Sequence, residues 1–201
     1  KDSMFNDFKG FDESGNPIKI SVLPTLLVSA IGVIEDAGKA ISTDPKFSGD
    51  LIYLLGQTKN ELGGSEYFAM QGELRDWKKY IGNNVPRVDA KTNSRVYRAF
   101  STAVQQGIIS SAISVNKGGL GIALAKSAIA GQIGLEIELD QAALYCESER
   151  EDYMLYSESQ GRLVVSINQK EREKFERVMG KEQFALIGKV RNDNLFRITR
   201  G

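Results

Sequence analysis

Two diglycine sequences, each lying between an apolar run and a helix-like segment, constrain the fold of this chain more than any other feature. One is Gly63-Gly64 and the other is Gly118-Gly119. Glycine has no Cβ, so its backbone can adopt positive φ and approach a ligand closely. The unpaired amides and the dipole of a helix N-terminus favour an anion. Together the two loops predict a fold that handles phosphate, although each loop alone is also typical of a plain turn.

The first diglycine lies in the sequence Glu61-Leu62-Gly63-Gly64-Ser65-Glu66-Tyr67. One interpretation is a cradle for phosphate or Mg-phosphate, in which the amides and the Ser65 hydroxyl hold the anion and Glu66 lies near the metal. The other is structural: Ser65 caps a short helix, and Glu66 sits favourably in its first turn. The residue chemistry leaves both open, and Glu66 is the one candidate for a metal ligand.

Length, composition and charge exclude several classes of protein. The chain has 201 residues, enough for one large domain or one domain with a small appendage. Hydrophobic residues make up 41% and charged residues 26%, as in ordinary globular proteins, and the net charge of +0 gives no basic excess for nucleic acid. No apolar stretch has the length of a membrane span, and no segment resembles a signal peptide. Because the chain opens on Lys1 rather than Met, we expect it to be a piece of a longer polypeptide.

The absence of histidine removes many mechanisms. Because the chain contains no histidine, it cannot form a Ser-His-Asp or Cys-His arrangement or a histidine-ligated zinc site. The single cysteine, Cys146, excludes an internal disulfide and fits a reducing compartment, so we expect a cytoplasmic protein. Cys146 stands beside Glu147 and Glu149, whose charges disfavour the thiolate, and we interpret it as a packed or idle thiol.

Apolar periodicity predicts strands and helices that alternate along the chain. The predicted strands are residues 25–34, 51–55, 109–115, 135–139, 162–167 and 185–190, the last of which is expected to end the regular structure. The predicted helices are one that begins after Asp89 and ends at Gly107, one that stops near Gly131, and one over residues 169–179. Residues 8–20 are expected to form a loop or exposed hairpin, and residues 71–89 a surface lid or contact segment. This alternation favours a sheet covered by helices.

The strand and helix patterns also predict the core. Its expected members are Leu27, Val28, Ile52, Leu54, Ile113, Leu124, Val164 and Val165.

A third polar segment, Ser157-Glu158-Ser159-Gln160-Gly161-Arg162, precedes a predicted strand. Arg162 has two open interpretations: its guanidinium forks onto a phosphate or carboxylate ligand, or it forms an internal ion pair with Glu158 at the sheet edge. The acidic run over residues 147–152 is interpreted as a solvated loop rather than a metal cluster, because Arg150 interrupts it.

Six segments together resemble one family. They are Lys1-Asp2-Ser3-Met4, Pro24-Thr25-Leu26-Leu27-Val28-Ser29-Ala30-Ile31-Gly32, Gly49-Asp50-Leu51-Ile52-Tyr53-Leu54-Leu55-Gly56, Leu62-Gly63-Gly64-Ser65-Glu66-Tyr67, Gly118-Gly119-Leu120-Gly121 and Ser157-Glu158-Ser159-Gln160-Gly161-Arg162. Their order and spacing resemble the synthetase (PurL-type) component of phosphoribosylformylglycinamidine synthase. The resemblance covers nearly the whole chain. The chain is similar to the final domain of that polypeptide, which is the aminoimidazole ribonucleotide synthetase C-terminal type of domain in the second pseudo-symmetric half.

The resemblance implies a fold, a domain arrangement and an activity. The fold would be α+β, a three-layer α/β/α domain with a mixed sheet, like the aminoimidazole ribonucleotide synthetase C-terminal domain. Residues 1–22 would be the tail of the preceding domain and connector, and residues 23–201 the domain itself. The full enzyme would use ATP, Mg²⁺ and glutamine-derived ammonia to convert formylglycinamide ribonucleotide to the amidine in purine biosynthesis. Its partners would be the remaining domains, a glutaminase component and the ribonucleotide substrate, with no nucleic acid and no membrane.

One segment departs from the family pattern. The family commonly has a histidine and two acids before the second diglycine, whereas this chain has Ile113-Ser114-Val115-Asn116-Lys117. A lysine in place of an acid removes a ligand for Mg²⁺ and adds a fixed cation that can meet a phosphate directly. The resemblance and this departure together predict a non-catalytic half that shapes and stabilises the enzyme.

The candidate phosphate- or nucleotide-binding residues are therefore Gly63, Gly64, Ser65, Glu66, Lys117, Gly118, Gly119 and Arg162. No catalytic residue is assigned, and no cofactor is assigned to the fragment alone. Two alternatives stay open: a structural nucleotide- or phosphate-binding module that works with a partner domain, and a related ATP-dependent phosphotransferase domain with another substrate.

Overall fold

The structure, a computed structural model, describes residues 7–21, 28–76 and 80–201. The chain divides into two compact units, residues 1–35 and 36–201. This division lies C-terminal to the boundary expected after residue 22, and the domain assignment itself stays a prediction. Among the helices of the described ranges, none is long and apolar enough to cross a membrane.

The first unit contains a β-hairpin. Strand β1 (Phe8–Phe11) pairs antiparallel with β2 (Pro17–Ile20). Asp12 closes the connection, because its carboxylate accepts the amide of Asn16 at 2.8 Å, and Gly15 supplies a φ of +80° that other residues rarely adopt. Of the two alternatives expected for residues 8–20, a loop or an exposed hairpin, the structure shows the hairpin.

The segment that follows contradicts the predicted strand over residues 25–34. Its described part, residues 28–34, has no regular secondary structure, and Val28, Ile31 and Val33 are 75%, 98% and 92% exposed. The prediction of Val28 as a core residue is therefore wrong, while Leu27 lies outside the described residues. An apolar run becomes a strand only when a neighbour pairs with its backbone groups, and none of the described strands pairs with this segment.

The second unit is built on a mixed sheet. Its strands are β3 (Leu51–Leu55), β4 (Ile109–Val115), β5 (Leu135–Glu138), β6 (Arg162–Ile167), β7 (Phe184–Val190) and β8 (Phe196–Thr199). They lie in the order β4-β6-β3-β7-β5-β8, and each neighbouring pair is antiparallel except β5 and β8, which are parallel. The expected mixed sheet is confirmed.

Helices cover this sheet. The described helices are α1 (Glu66–Leu74), α2 (Ala90–Gln105), α3 (Gly119–Gly131), α4 (Leu139–Ala142), α5 (Glu151–Tyr156) and α6 (Arg172–Met179), with short 3-10 turns at Ala37–Lys39, Ala143–Tyr145 and Gln169–Glu171. The predicted cap of α2 is confirmed, because the Asp89 carboxylate accepts the amide of Thr92 at 3.0 Å.

Alternation along β3 divides the core between the two faces of the sheet. Ile52 belongs to one buried cluster together with Leu124 of α3. Tyr53 belongs to the opposite cluster with Val96 of α2 and Phe175 of α6, and the rings of Tyr53 and Phe175 are 4.7 Å apart. Each such side chain contributes about 1.5–3 kcal/mol through burial. The three-layer α/β/α arrangement thus follows from apolar residues on both faces of one strand.

The remaining core predictions agree with the structure. Five of the predicted residues are at most 5% exposed; they are Ile52, Leu54, Leu124, Val164 and Val165. Ile113 is partly buried and packs against the cluster that contains Ile52. The expectation that regular structure ends near Val190 is wrong, because β8 follows and pairs with β5. This edge strand is mostly exposed and carries alternating polar residues, so it lacks the apolar run used to find the other strands.

Asp50, directly before β3, gives a prediction about pH. Its side chain is buried with 2% exposure, and burial raises the pKa of its carboxyl above the usual value, against weaker effects of Ser110 and Lys46. The folded state therefore holds this proton more tightly than the unfolded state. Its contribution to the free energy of unfolding falls as pH rises from the ordinary carboxyl pKa of about 4 through the raised value.

We expect Asp50→Asn to be more stable than the wild type at neutral pH, with a difference that shrinks as the pH approaches about 4. Urea unfolding of both proteins across this range measures the effect. Asp44→Asn is the matched control. A hydrogen bond from Ser42 lowers the pKa of Asp44, so we expect this variant to be less stable than the wild type at neutral pH. A stability of Asp50→Asn at or below that of the wild type at neutral pH would contradict the prediction.

Candidate functional site

Three polar segments meet at one edge of the sheet. Strand β6 runs antiparallel to both β3 and β4, so that Leu163 pairs with Leu55 and Arg162 with Val115. The ends of β3 and β4 therefore lie beside the start of β6. The segments brought together are residues 61–66, 117–119 and 157–162, which are far apart in the sequence.

The first glycine loop forms the start of α1. Ser65 is the N-cap, and its hydroxyl accepts the amide of Phe68 at 3.2 Å. Gly64 has a φ of +71°. A Cβ on Gly63 would lie 2.5 Å from the carbonyl carbon of Asn84, so this position also requires glycine for close packing. The structural interpretation of Ser65 as a helix cap is confirmed.

The second glycine loop forms the start of α3. Gly118 is the N-cap with a φ of +82°, and Gly119 follows with a φ of +69°. A Cβ on Gly119 would lie 2.5 Å from the carbonyl oxygen of Leu155 and 2.8 Å from that of Ser157. The segment between α5 and β6 therefore passes directly against the N-terminus of α3.

Glu158 joins the two loops. Its Oε1 accepts the amide of Gly118 at 2.8 Å and the amide of Glu66 at 2.9 Å. Both amides lie at helix starts, where N–H groups have no partner within the helix and the dipole favours a negative charge. The cradle expected to hold a ligand anion thus contains a carboxylate of the chain itself.

Lys117 and Glu66 pair across the same loops. The Lys117 Nζ lies 3.0 Å from Glu66 Oε1, and this hydrogen bond raises the pKa of Lys117 above its usual range. Glu66 is thus paired with a lysine on the surface of the loops. Within the described ranges, no three His, Cys, Asp or Glu side chains come together as a metal site would require.

Arg162 is buried beneath the loops, with 1% exposure. Its Nε donates to the carbonyl of Ser159 at 3.1 Å, its Nη1 donates to Thr58 Oγ1 at 2.8 Å, and its Nη2 donates to the carbonyl of Ser157. Burial lowers the pKa of Arg162 to about 10, so the guanidinium is still charged at neutral pH.

Neither interpretation of Arg162 made from the sequence describes its contacts. The guanidinium donates to neutral oxygens of the protein rather than to a carboxylate, and the Glu158 carboxylate accepts backbone amides instead. Arg162 therefore supports the turn between α5 and β6 through three of its five N–H donors.

Two further contacts fix the same region. Tyr67 of α1 stacks on Tyr156 of α5 with ring centroids 4.7 Å apart. Ser159 Oγ accepts the amide of Lys59 at 2.9 Å. The loops and the turn therefore form one connected structure rather than three independent surface segments.

An open groove of about 500 Å³ lies beside the turn, along the first half of α2. Its lining includes Asn93, Tyr97 and Arg98 from the helix and Gln160 and Gly161 from the turn. The groove combines the ring of Tyr97 with the guanidinium of Arg98.

Residues 48–200 match the family described as AIR synthase related protein, C-terminal domain. The chain belongs to this family. The PurL subunit of phosphoribosylformylglycinamidine synthase from Methanocaldococcus jannaschii is 33% identical over 176 residues, which are 86% of this chain and 22% of that protein. The same subunit from Alkaliphilus metalliredigens is 35% identical over 150 residues, 74% of this chain and 19% of that protein. This AIR synthase related domain thus spans about a fifth of the length of these curated relatives.

Solved structures of PurL from Thermotoga maritima share the fold of the domain. PurL complexed with FGAR has a TM-score of 0.65 at 17% identity, covering 82% of this chain and 27% of that chain. PurL complexed with ATP has a TM-score of 0.60 at 16% identity, covering 82% of this chain and 25% of that one. PurLQS has a TM-score of 0.61 at 17% identity, covering 82% and 26%. The expected C-terminal-domain fold is confirmed.

Sequence reasoning found the loops of this AIR synthase related domain but missed what holds them together. Glu66, Lys117 and Gly118 do converge. The sequence suggests Glu158 only as a partner of Arg162. The unpaired amides of two helix starts favour a side-chain oxygen or an anion as partner, and this preference is the signal that points to Glu158.

Replacing Gly119 by alanine tests the close approach of the turn to α3. The added Cβ would clash with the carbonyl of Leu155, and the φ of +69° adds strain, so we expect the free energy of unfolding to fall by about 3 kcal/mol. Gly107→Ala is the matched control: its φ is also +69°, but no atom lies within 4 Å, and we expect a loss of only about 1 kcal/mol. Equal losses in chemical denaturation would show that packing is not what requires Gly119.

Replacing Arg162 by lysine tests the support for the turn. Lysine keeps the charge but lacks the planar fork, so buried acceptors such as the carbonyls of Ser157 and Ser159 lose donors. We expect a loss of about 3 kcal/mol in urea denaturation. Lys117→Met, which breaks the solvent-exposed pair with Glu66, is expected to leave the unfolding midpoint unchanged. Arg162→Lys with the stability of the wild type would contradict this role.

Proposed function

We propose that this domain is the C-terminal domain of a PurL-type phosphoribosylformylglycinamidine synthase. The observation that carries the proposal is the identity of 33–35% to PurL subunits over 74–86% of the chain. The six segments in family order and the shared fold support it. The assignment of residues 1–22 to the preceding domain is part of the same proposal, and the separate compact unit over residues 1–35 supports a boundary in this region.

The role we propose for the domain within that enzyme is non-catalytic. The chain has no histidine, and Lys117 stands where the family commonly has an acid. The amides of both helix starts are already bonded to Glu158, and Glu66 is paired with Lys117. These contacts shape the domain and engage Glu66 and Glu158 with groups of the chain itself.

The activity we propose for the full enzyme is the ATP-dependent conversion of formylglycinamide ribonucleotide to the amidine, in the cytoplasm, with ammonia from a glutaminase component. The support comes from PurL of Thermotoga maritima, which was solved with ATP and with FGAR and as PurLQS. Mg²⁺ is the cofactor expected beside ATP. Because the described residues bring no three acidic or thiol side chains together as metal ligands, we propose that the metal is held by domains outside this chain.

A second role, as a structural nucleotide- or phosphate-binding module, is favoured by one observation. Two helix N-termini and the Lys117 cation converge at a single sheet edge, which is the arrangement that an anion requires. This role is compatible with the first, because a phosphate bound here would stabilise the enzyme without taking part in the reaction.

Genetic complementation tests the assignment to PurL. We expect the polypeptide that carries this domain, supplied with its glutaminase, to restore growth without purines in a bacterium that lacks PurL. Failure of that complementation, with the protein expressed and folded, would overturn the PurL assignment.

The isolated chain tests the non-catalytic role. With ATP, Mg²⁺, formylglycinamide ribonucleotide and ammonia, we expect the purified 201-residue chain to form no amidine above a blank without protein. ATP-dependent product formation by the chain alone would show that it does perform chemistry.

A further inference from the structure

The outward side of α2 is basic. Lys91, Arg95 and Arg98 follow one another at spacings of four and three residues, so they form one stripe, and the helix contains no Asp or Glu. Arg95 pairs with Glu182 at 3.3 Å. No carboxylate of the described residues pairs with Lys91 or Arg98. In a chain whose net charge is +0, this helix therefore carries a local excess of positive charge.

A second stripe on α2 forms one wall of the open groove beside the turn. It consists of Ala90, Ser94, Tyr97 and Ser101. Three of these side chains are small and allow the backbone of a partner to lie close to the helix. Tyr97 is 45% exposed and offers a large ring surface for burial, together with a hydroxyl. None of the residues that line the groove is acidic.

The dimensions of the groove suit a short stretch of extended chain. From Ala90 to Ser101 the helix rises by about 17 Å, which is the length of about five residues of an extended peptide. The opposite wall is formed by Gln160 and Gly161. The hydroxyls of Ser94 and Ser101 and the amide of Gln160 supply polar groups that can bond to the main chain of a peptide.

We propose that the groove along α2 binds an acidic, extended segment of a partner protein. An apolar side chain of the segment packs on Tyr97, and its carboxylates lie against Arg98 and Lys91. Nucleic acid fits this surface less well, because a stripe of three basic side chains, one of them already paired, neutralises few phosphates. The proposal concerns only the surface of the domain and does not depend on the assignment to PurL.

The test is a titration of the 201-residue chain into a fluorescein-labelled heptapeptide, Glu-Asp-Leu-Glu-Asp-Leu-Glu, followed by fluorescence anisotropy. We expect saturable binding with a Kd below about 1 mM that weakens as salt is added, because salt screens exposed charges. The basic counterpart, Lys-Arg-Leu-Lys-Arg-Leu-Lys, is expected not to bind. In amide NMR spectra, we expect the acidic peptide to shift the signals of Tyr97, Arg98 and Gly161.

Two variants test the named contacts. Arg98→Glu reverses the charge in the groove and Tyr97→Ala removes the ring, and we expect each to raise the Kd at least about tenfold. Lys126→Glu is the matched control, because Lys126 is an exposed basic residue of α3, whose buried residues belong to the core cluster on the other face of the sheet. We expect this variant to bind the peptide like the wild type. Circular dichroism reports whether each variant keeps the fold.

Three results overturn the proposal. The first is the absence of binding by the wild type at millimolar peptide, which decides the question even if the variants do not fold. The second is an equal loss of affinity in Arg98→Glu and Lys126→Glu, which shows unspecific attraction between charges. The third is that ADP or a uridylate hexamer shifts the Tyr97 and Gly161 signals while the peptide does not, which assigns the groove to a phosphate-bearing ligand.

Discussion

The hydrogen bonds of the buried Arg162 guanidinium hold together the edge of the sheet where the two glycine loops meet. The guanidinium holds the carbonyls of Ser157 and Ser159, and the turn held in this way places Glu158 between two helix N-termini. A charge at this depth is tolerated because its donors find oxygens, including Thr58 Oγ1. The order of cause runs from the first residue of β6 to the turn, from the turn to Glu158, and from Glu158 to both glycine loops.

The two ionic features of the site differ greatly in weight. Lys117 and Glu66 are mostly exposed, so water and salt screen their attraction, and the cost of ordering two long side chains offsets most of it. Arg162 is buried, so water does not replace its hydrogen bonds. If its acceptors are left unpaired, each costs its full desolvation free energy. The pair that the sequence makes conspicuous therefore matters less to the fold than the arginine hidden beneath it.

Local signals in the sequence predicted most of the fold. The strands over residues 51–55, 109–115 and 162–167 are apolar runs bounded by turn residues, and α2 begins at a capping Asp89, so neighbouring residues suffice to define them. The failures are non-local. Residues 28–34 are apolar but have no partner strand, β8 exists because β5 pairs with it, and Glu158 acquires its role only when the sheet brings distant loops together.

A tethered carboxylate has an advantage over a free anion that does not depend on the strength of its contacts. The backbone already holds Glu158 at the cradle, so its binding orders only the bonds of one side chain, whereas a free phosphate also loses translational and rotational freedom. Tethering of this kind corresponds to an effective concentration on the order of millimolar or higher. The two amides are therefore bonded to the chain's own carboxylate in preference to a free anion whose contacts would be limited to the same two N–H groups.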